Sequence, residues 1–436
     1  MKRVYIETYG CQMNVADSEL MFGVLGRDGY VRSEDPQDAD VMLVNTCAVR
    51  DNAEQRIIGR VGELQRYKRV GGVLGVVGCM AQRLGPALLA QAPRVDLVVG
   101  PDAYRNLPEL IGLAQAGQRV NDTEFRSWEH YEDVPPAREK GPTAFVTVQR
   151  GCDYRCTFCI VPHTRGPERS RKLEDIIREV TELVAQGATE VTLLGQTVNS
   201  YHDGTHEFGA LLEALGLVAG LRRIRFTSPY PTDFTPRVIA AMAATPAVCE
   251  HVHLPVQSGS NAVLKRMLRR YTRERYLEVV GELRRAIPGI TLSTDVIVGF
   301  PGETETDFAE TLSLVAEAGF DDAYTFKYSV REGTPAVRLK DHVPDEVASA
   351  RLDRLIETVR SAVRHKNIAR VGQTHEVLVE RPAKRGNLML SRTRTNQLVL
   401  LALPSSAIGQ YHTVRLTGTT GSTFTGSVVT PGLAVL

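Results

Sequence analysis

Along its N-terminal part the chain alternates short apolar runs with amphipathic stretches. Residues 4–8, 41–45, 73–77 and 95–99 read as strands, being brief, rich in β-branched residues and bounded by turn residues. Between them, 16–27, 54–67 and 82–91 repeat apolar residues at three- and four-residue spacing, which lines one face of a helix. Strands and helices joined so closely predict a doubly wound parallel α/β domain over residues 1–117. The polar stretch 118–142, with Trp128 and Pro135-Pro136, predicts a linker.

From residue 143 the alternation resumes and runs longer. Strands are expected at 144–148, 190–194, 222–226, 251–254, 291–298 and 323–328, and helices at 174–186, 208–217, 235–244, 272–286 and 305–318. Six such units predict a partial (β/α)6 barrel over 143–370, ending in a helical stretch at 345–368. The style changes over 371–436. Five short strands, 376–380, 388–391, 398–402, 413–416 and 427–429, are parted by Gly and Thr, as in a small antiparallel β-barrel.

Composition narrows the class. The 436 residues suffice for several domains, and 43% hydrophobic with 24% charged residues excludes a wholly disordered or collagen-like chain. No run of about 18 apolar residues occurs, so no transmembrane helix is expected. Lys2, Arg3 and Glu7 interrupt any secretory leader, and the expected compartment is the reducing cytoplasm. There, an odd count of seven cysteines points to metal ligation or catalysis more than to disulfides. The net charge of +1 hides an asymmetry. Residues 375–436 carry Arg381, Lys384, Arg385, Arg392, Arg394 and Arg415 against Glu376 and Glu380, a net of +4 that leaves −3 for the rest. A basic small barrel suits RNA, and Lys384, Arg385, Arg392, Arg394 and Asn396 are its expected contacts, a solvated basic face being the plain alternative. Gly71, Gly72, Gly75 and Gly78 do not fall in G-x-G-x-x-G register, so no dinucleotide site is expected there.

The most specific feature is Cys152-Asp-Tyr-Arg-Cys156-Thr-Phe-Cys159, in the loop after the first strand of the middle domain. Three thiolates at this spacing can hold three corners of a cubane iron–sulfur cluster and leave the fourth iron open. An open iron can chelate S-adenosylmethionine, and an electron from the cluster can then cleave it to a 5′-deoxyadenosyl radical. A zinc site is the alternative, but structural zinc takes four ligands, and His163 follows too closely to be the fourth. Cys11, Cys47 and Cys79 are far apart in sequence, yet each lies just past an expected strand. In a parallel sheet those ends share one edge, so the three thiols can converge as a second metal site; burial as ordinary core cysteines is the alternative. Cys249, His251 and His253 could form a Cys-x-His-x-His site, with core packing favoured.

These residues resemble a known family. Residues 8–14 (TYGCQMN), with Asp17, Ser18 and Glu19, are similar to the opening of the radical S-adenosylmethionine methylthiotransferases. Residues 151–171 (GCDYRCTFCIVPHTRGPERSR) resemble their radical-cluster loop, and 195–201 (GQTVNSY), 253–260 (HLPVQSGS), 295–304 (DVIVGFPGET) and 328–335 (YSVREGTP) continue the likeness over nearly the whole chain. CQMN and GQTVNSY look most like the MiaB branch, while Thr197, His163 and Tyr230 stand where Asn, Tyr and His are usual.

The resemblance implies a radical-SAM barrel in the middle, a TRAM module at the end, and two [4Fe-4S] clusters, on Cys152, Cys156 and Cys159 and on Cys11, Cys47 and Cys79. The second cluster would carry the sulfur to be inserted. Phe158, Gly195, Gln196, Gly299 and Glu303 would contact S-adenosylmethionine, used both as methyl donor and as radical source. The implied reaction adds a methylthio group to C2 of N6-isopentenyladenosine at position 37 of tRNA. A flavodoxin- or ferredoxin-type donor, a monomer and no membrane partner are further expectations. The alternatives are the sister activity on threonylcarbamoyladenosine or on a ribosomal protein, and a non-catalytic iron–sulfur RNA sensor.

Overall fold

The computed structural model describes residues 1–48, 51–384 and 386–429, with the backbone alone for 51–55. Its first unit is a six-stranded parallel sheet built from β1 (Lys2–Tyr9), β2 (Tyr30–Arg32), β3 (Val41–Thr46), β4 (Val73–Gly78), β5 (Leu97–Val99) and β6 (Val120–Asp122), in the order β2-β1-β3-β4-β5-β6. Helices α1 (Gln12–Arg27), α2 (Asp51–Leu64), α3 (Cys79–Leu84), α4 (Pro86–Gln91) and α5 (Leu107–Gln115) connect the strands. Both faces of β3 are covered, which is why it reads as an unbroken apolar run. Val41 and Leu43 pack with Leu20, Val24 and Ile111, whereas Met42 and Val44 pack with Ile57, Val61 and Met80.

Two expectations change here. The single helix at 82–91 is two, because Gly85 at φ 49° and ψ −132° breaks the spiral just before Pro86. The stretch 118–142 does not begin as a linker: Val120–Asp122 pairs in parallel with β5 and extends the first sheet.

The middle unit contains β7 (Thr143–Thr147), β8 (Gln149–Arg150), β9 (Arg169–Ser170), β10 (Glu190–Leu194), β11 (Arg223–Phe226), β12 (His251–His253), β13 (Thr291–Val298) and β14 (Asp322–Lys327). Around them lie α6 (Val161–Arg165), α7 (Leu173–Ala185), α8 (Phe208–Gly216), α9 (Pro236–Ala244), α10 (Asn261–Arg266), α11 (Arg273–Ala286), α12 (Glu305–Ala318) and α13 (Asp345–Arg370). Parallel sheets β7-β10-β11 and β12-β13-β14 follow chain order, and an isolated bridge from Ile224 of β11 to Val248, in the segment leading into β12, links them, giving the expected open barrel of six strands. The short ribbon β8–β9 closes the base of the Cys152–Cys159 loop.

The last unit is a closed barrel of β15 (Thr374–Pro382), β16 (Met389–Thr393), β17 (Leu398–Leu401), β18 (Tyr411–Thr419) and β19 (Thr423–Val428), filled by Val377, Val399, Leu401, Val414, Leu416 and Phe424. It is not purely antiparallel, since β17 pairs in parallel with β19. Among the described residues, no helix is long and apolar enough to cross a membrane.

Candidate active site

Parallel topology sets the carboxyl ends of β1, β3 and β4 side by side, and a cysteine follows each. Cys11 caps α1, Cys47 succeeds β3 directly and Cys79 opens α3. Two glycines permit this crowding. A Cβ on Gly10 (φ 150°) would lie 2.3 Å from Asn14 Oδ1, and one on Gly78 (φ 93°) 2.5 Å from Asn45 Oδ1. Those two buried amides hydrogen-bond each other at 3.2 Å and fix α1 against β3.

The second triad comes from the loop between β8 and β9. Gly151 N–H donates to Gln196 Oε1 at 2.5 Å, and Thr197 N–H donates to Gln149 Oε1 at 3.1 Å. Thr197 Oγ1 also lies 3.1 Å from Cys152 Sγ, so the residue that departs from the family pattern is in direct contact with the triad. On the other side, Arg269 donates to Cys156 Sγ at 3.4 Å, with Tyr230 and Tyr271 packed against its guanidinium.

All six cysteines line one cavity of about 280 Å³. Burial raises the Cys79 and Cys152 thiols and pushes Cys159 up to about 12, whereas a hydrogen bond with Cys47, helped by the Arg165 charge, pulls Cys11 down. Buried thiols of this kind ligate only as metal displaces their protons. Among the described residues no group of three His, Cys, Asp or Glu side chains could hold a single metal ion. Two cysteine triads lining a cavity suit cubane clusters, in which each ligated iron takes one cysteine sulfur beside its bridging sulfides. The donor set fits them.

Phe158, Gly195 and Gln196 line the same cavity. A Cβ on Gly195 would come 2.6 Å from Gln149 Oε1, so the wall there must be bare backbone. Gly299 and Glu303 are corrected: neither lines the cavity. Glu303 accepts from Gly299 N–H (2.9 Å) and pairs with Arg351 of α13 (2.8 Å), and a Cβ on Gly299 would strike Ala348. The pair anchors α13 because a buried carboxylate needs such partners. Tyr154, Tyr230, Arg269 and Asp295 also face the cavity without being expected site residues, although 253–260 and 295–304 lie in the matching motifs. His253 faces it as well, its Nε2 3.3 Å from Asp295 Oδ1. Cys249 is buried apart beside Arg225, while His251 and His253 share Ser293 Oγ at 3.1 and 2.9 Å.

Glu168, 2.8 Å from Ser200 beside the cysteine loop, is pushed up to about 7 by burial. Its folded pKa exceeds its unfolded one, so the folded state binds the extra proton and this contribution to stability falls as pH rises between them. Glu168→Gln is expected to remove that slope. Thermal midpoints measured from about pH 5 to about 7.5 should decline less than in the wild type; a parallel profile would contradict the assignment.

The expected RNA contacts separate. Lys384 is exposed, and Arg385 lies outside the described residues. Arg392, Arg394 and Asn396 are corrected, because they form the seam between barrel and body. Arg392 pairs with Glu380 at 2.6 Å and donates to Asn396 Oδ1 at 2.9 Å, and Asn396 Nδ2 lies 3.4 Å from His251 Nε2. Arg394 pairs with Glu250 and donates to the carbonyls of Pro246 and Val248, each at 2.8 Å. Donors satisfied by protein acceptors are poorly placed for phosphates. Arg381 and Arg415 remain exposed.

The family described as the Radical SAM superfamily matches residues 146–315, and Uncharacterized protein family UPF0004 matches residues 3–100. The chain is 48% identical over 429 residues to the tRNA-2-methylthio-N(6)-dimethylallyladenosine synthase of Moorella thermoacetica, covering 95% of this chain and 96% of that protein. It is 45% identical to the enzyme of that name from Chloroherpeton thalassium, covering 98% and 96%. Among solved structures, the radical S-adenosylmethionine methyltransferase TsrM from Kitasatospora setae shares the fold, with a TM-score of 0.58, 14% identity and 77% of each chain covered. At 95–98% coverage and 45–48% identity, the chain belongs to the radical S-adenosylmethionine family of tRNA-2-methylthio-N(6)-dimethylallyladenosine synthases.

Proposed function

We propose that this chain adds a methylthio group to C2 of N6-isopentenyladenosine at position 37 of tRNA, next to the anticodon. The observation that carries the reading is the shared cavity, where two cysteine triads from two units meet at one opening. The radical-SAM family implies a [4Fe-4S] cluster and S-adenosylmethionine. We assign the cluster to Cys152, Cys156 and Cys159, and the S-adenosylmethionine wall to Phe158, Gly195 and Gln196. A second [4Fe-4S] cluster is assigned to Cys11, Cys47 and Cys79 as the carrier of sulfur, with one S-adenosylmethionine as methyl donor and another as radical source.

When bound, the radical cluster supplies the electron needed to make an aromatic C–H bond reactive, which no His or carboxylate base achieves near neutral pH. The chain's own residues position and shield. Gln149, Gln196 and Thr197 pin the cysteine loop, and Arg269 sets a buried cation against Cys156. Phe158 packs edge-on to Phe300 and, with Ile160, makes that wall apolar, which excludes water. The division into 1–117, 118–142, 143–370 and 371–436, with the first unit extended through β6, gives the clusters one domain each and RNA the last. Lys384 and the exposed arginines of that barrel are its proposed grip. A flavodoxin- or ferredoxin-type reductant, a monomeric state and a cytoplasmic location complete the proposal.

Nucleoside mass spectrometry of tRNA from cells with and without the gene tests it. Deletion is expected to abolish 2-methylthio-N6-isopentenyladenosine and leave its unthiolated precursor. If the precursor disappeared instead, or only the threonylcarbamoyl nucleoside changed, the substrate assignment would be wrong.

A further inference from the structure

Asp17 of α1 is completely buried and has two arginine partners, both from the radical-cluster domain. Arg150 Nη1 lies 3.0 Å from Asp17 Oδ1, and Arg165 Nη1 lies 2.7 Å from Oδ2. Tyr104 O–H donates to the same carboxylate at 3.3 Å. The two arginines flank the cysteine loop: Arg150 stands two residues before Cys152, and Arg165 six after Cys159, at the end of α6. One carboxylate of the first unit thus clamps both ends of the loop that carries the other unit's triad.

Arg165 does more than pair. Its Nε donates to Cys79 Sγ at 3.1 Å, a contact across the boundary between the units, and the guanidinium is only 3% exposed. Ile160, next to Cys159, packs in turn against Cys79 and Ala48, so α6 itself rests on the second triad. A planar guanidinium can hold a carboxylate and a sulfur at once in fixed directions, which an ammonium cannot.

We propose that Arg165 is a positioning residue for the second triad: reaching across from the radical-cluster loop and held by Asp17, it fixes Cys79 relative to Cys11 and Cys47 and sets a permanent positive charge against whatever that triad binds. This rests on the reading that the triad holds an iron–sulfur cluster. The same side chain then sets the separation of the two metal sites, because it hangs from one and touches the other. A buried cation beside a sulfur ligand also favours the more reduced, more negative state of the group it faces.

The test uses the full chain with Cys152, Cys156 and Cys159 all changed to Ala, reconstituted anaerobically with iron and sulfide. If this background binds no cluster, the second-cluster reading fails, whatever Arg165 does. If it binds one, Arg165→Met is added, and midpoint potential and paramagnetic resonance of the reduced state are recorded. A potential shifted to more negative values and altered g values are expected, with Arg165→Lys recovering the potential but not the g values. Loss of iron in Arg165→Met that Arg165→Lys regains supports the proposal equally. Potential and g values identical to the background would overturn it. Where Arg165→Met does not fold, Arg165→Gln, which keeps a donor without the charge, is read in its place.

Discussion

Arg223→Met is expected to loosen the C-terminal barrel from the body while both stay folded. Arg223 is fully buried at the seam, and its Nη1 donates to the carbonyl of Arg392 at 2.9 Å. Its Nη2 lies 3.0 Å from Glu376 Oε1, and Nη1 approaches the buried carboxylate of Glu190 at 3.7 Å. Methionine fills comparable space but provides no donor, which leaves the Arg392 carbonyl and the buried Glu190 carboxylate short of a partner, while Glu376, 39% exposed, keeps its pairing with Arg222 at 2.8 Å. Removing one side of a fully buried ion pair costs about 3–5 kcal/mol, and the exposure of Glu376 and the 3.7 Å separation from Glu190 keep this loss at or below the lower bound. Arg225 remains, bonded to Glu190 at 2.9 Å and to the carbonyls of Thr393 and Arg394, so docking weakens without being abolished. At about 3 kcal/mol the undocked population rises by roughly 100-fold, which limited proteolysis just after α13 reads directly. Affinity for tRNA should fall, because the barrel's proposed RNA grip is no longer held in a fixed direction against the body. An unchanged cleavage rate and unchanged tRNA binding together would show that the arginine does not hold the seam.

That seam marks the limit of what the sequence conveys. Arg392 and Arg394 look like solvent-facing RNA contacts within their own segment, since a basic run beside Thr and Asn carries no sign of its partners. Arg394 meets Glu250, 144 positions away, and only the packed structure joins them. Glu303 misled for the same reason: its place after a barrel strand suggested the cofactor, but Arg351 of α13 takes its carboxylate. Three-residue strands such as β2 and β6 carry too few apolar positions to show a period, and they form because a neighbouring strand offers its edge. The convergence of Cys11, Cys47 and Cys79, by contrast, was legible. It follows from parallel topology alone once β1, β3 and β4 are recognised as long buried strands, and the sheet order makes those three neighbours. The reach of Arg165 was not legible, because it depends on how two units lean together.

Two cysteine variants should separate the triads by what each loses. Cys156 is buried at the centre of its loop, with its sulfur 3.4 Å from Arg269. Cys156→Ala removes one corner of a three-ligand grip, for which the cavity offers no replacement thiol on the same loop. Reductive cleavage of S-adenosylmethionine, followed as 5′-deoxyadenosine, is expected to fall at least about 100-fold, beyond the loss typical of outer-shell changes at metal sites. Methylthiolated product should vanish with it. Cys47 sits on the other wall, directly after β3 and outside the β8–β9 loop. Cys47→Ala is therefore expected to leave 5′-deoxyadenosine formation measurable while 2-methylthio product disappears, uncoupling radical chemistry from sulfur insertion. The direction of the asymmetry is what matters. Loss of S-adenosylmethionine cleavage in Cys47→Ala, with the fold intact by circular dichroism, would mean that the two triads do not divide the work. Retention of methylthiolated product in that variant would remove Cys47 from the sulfur site altogether.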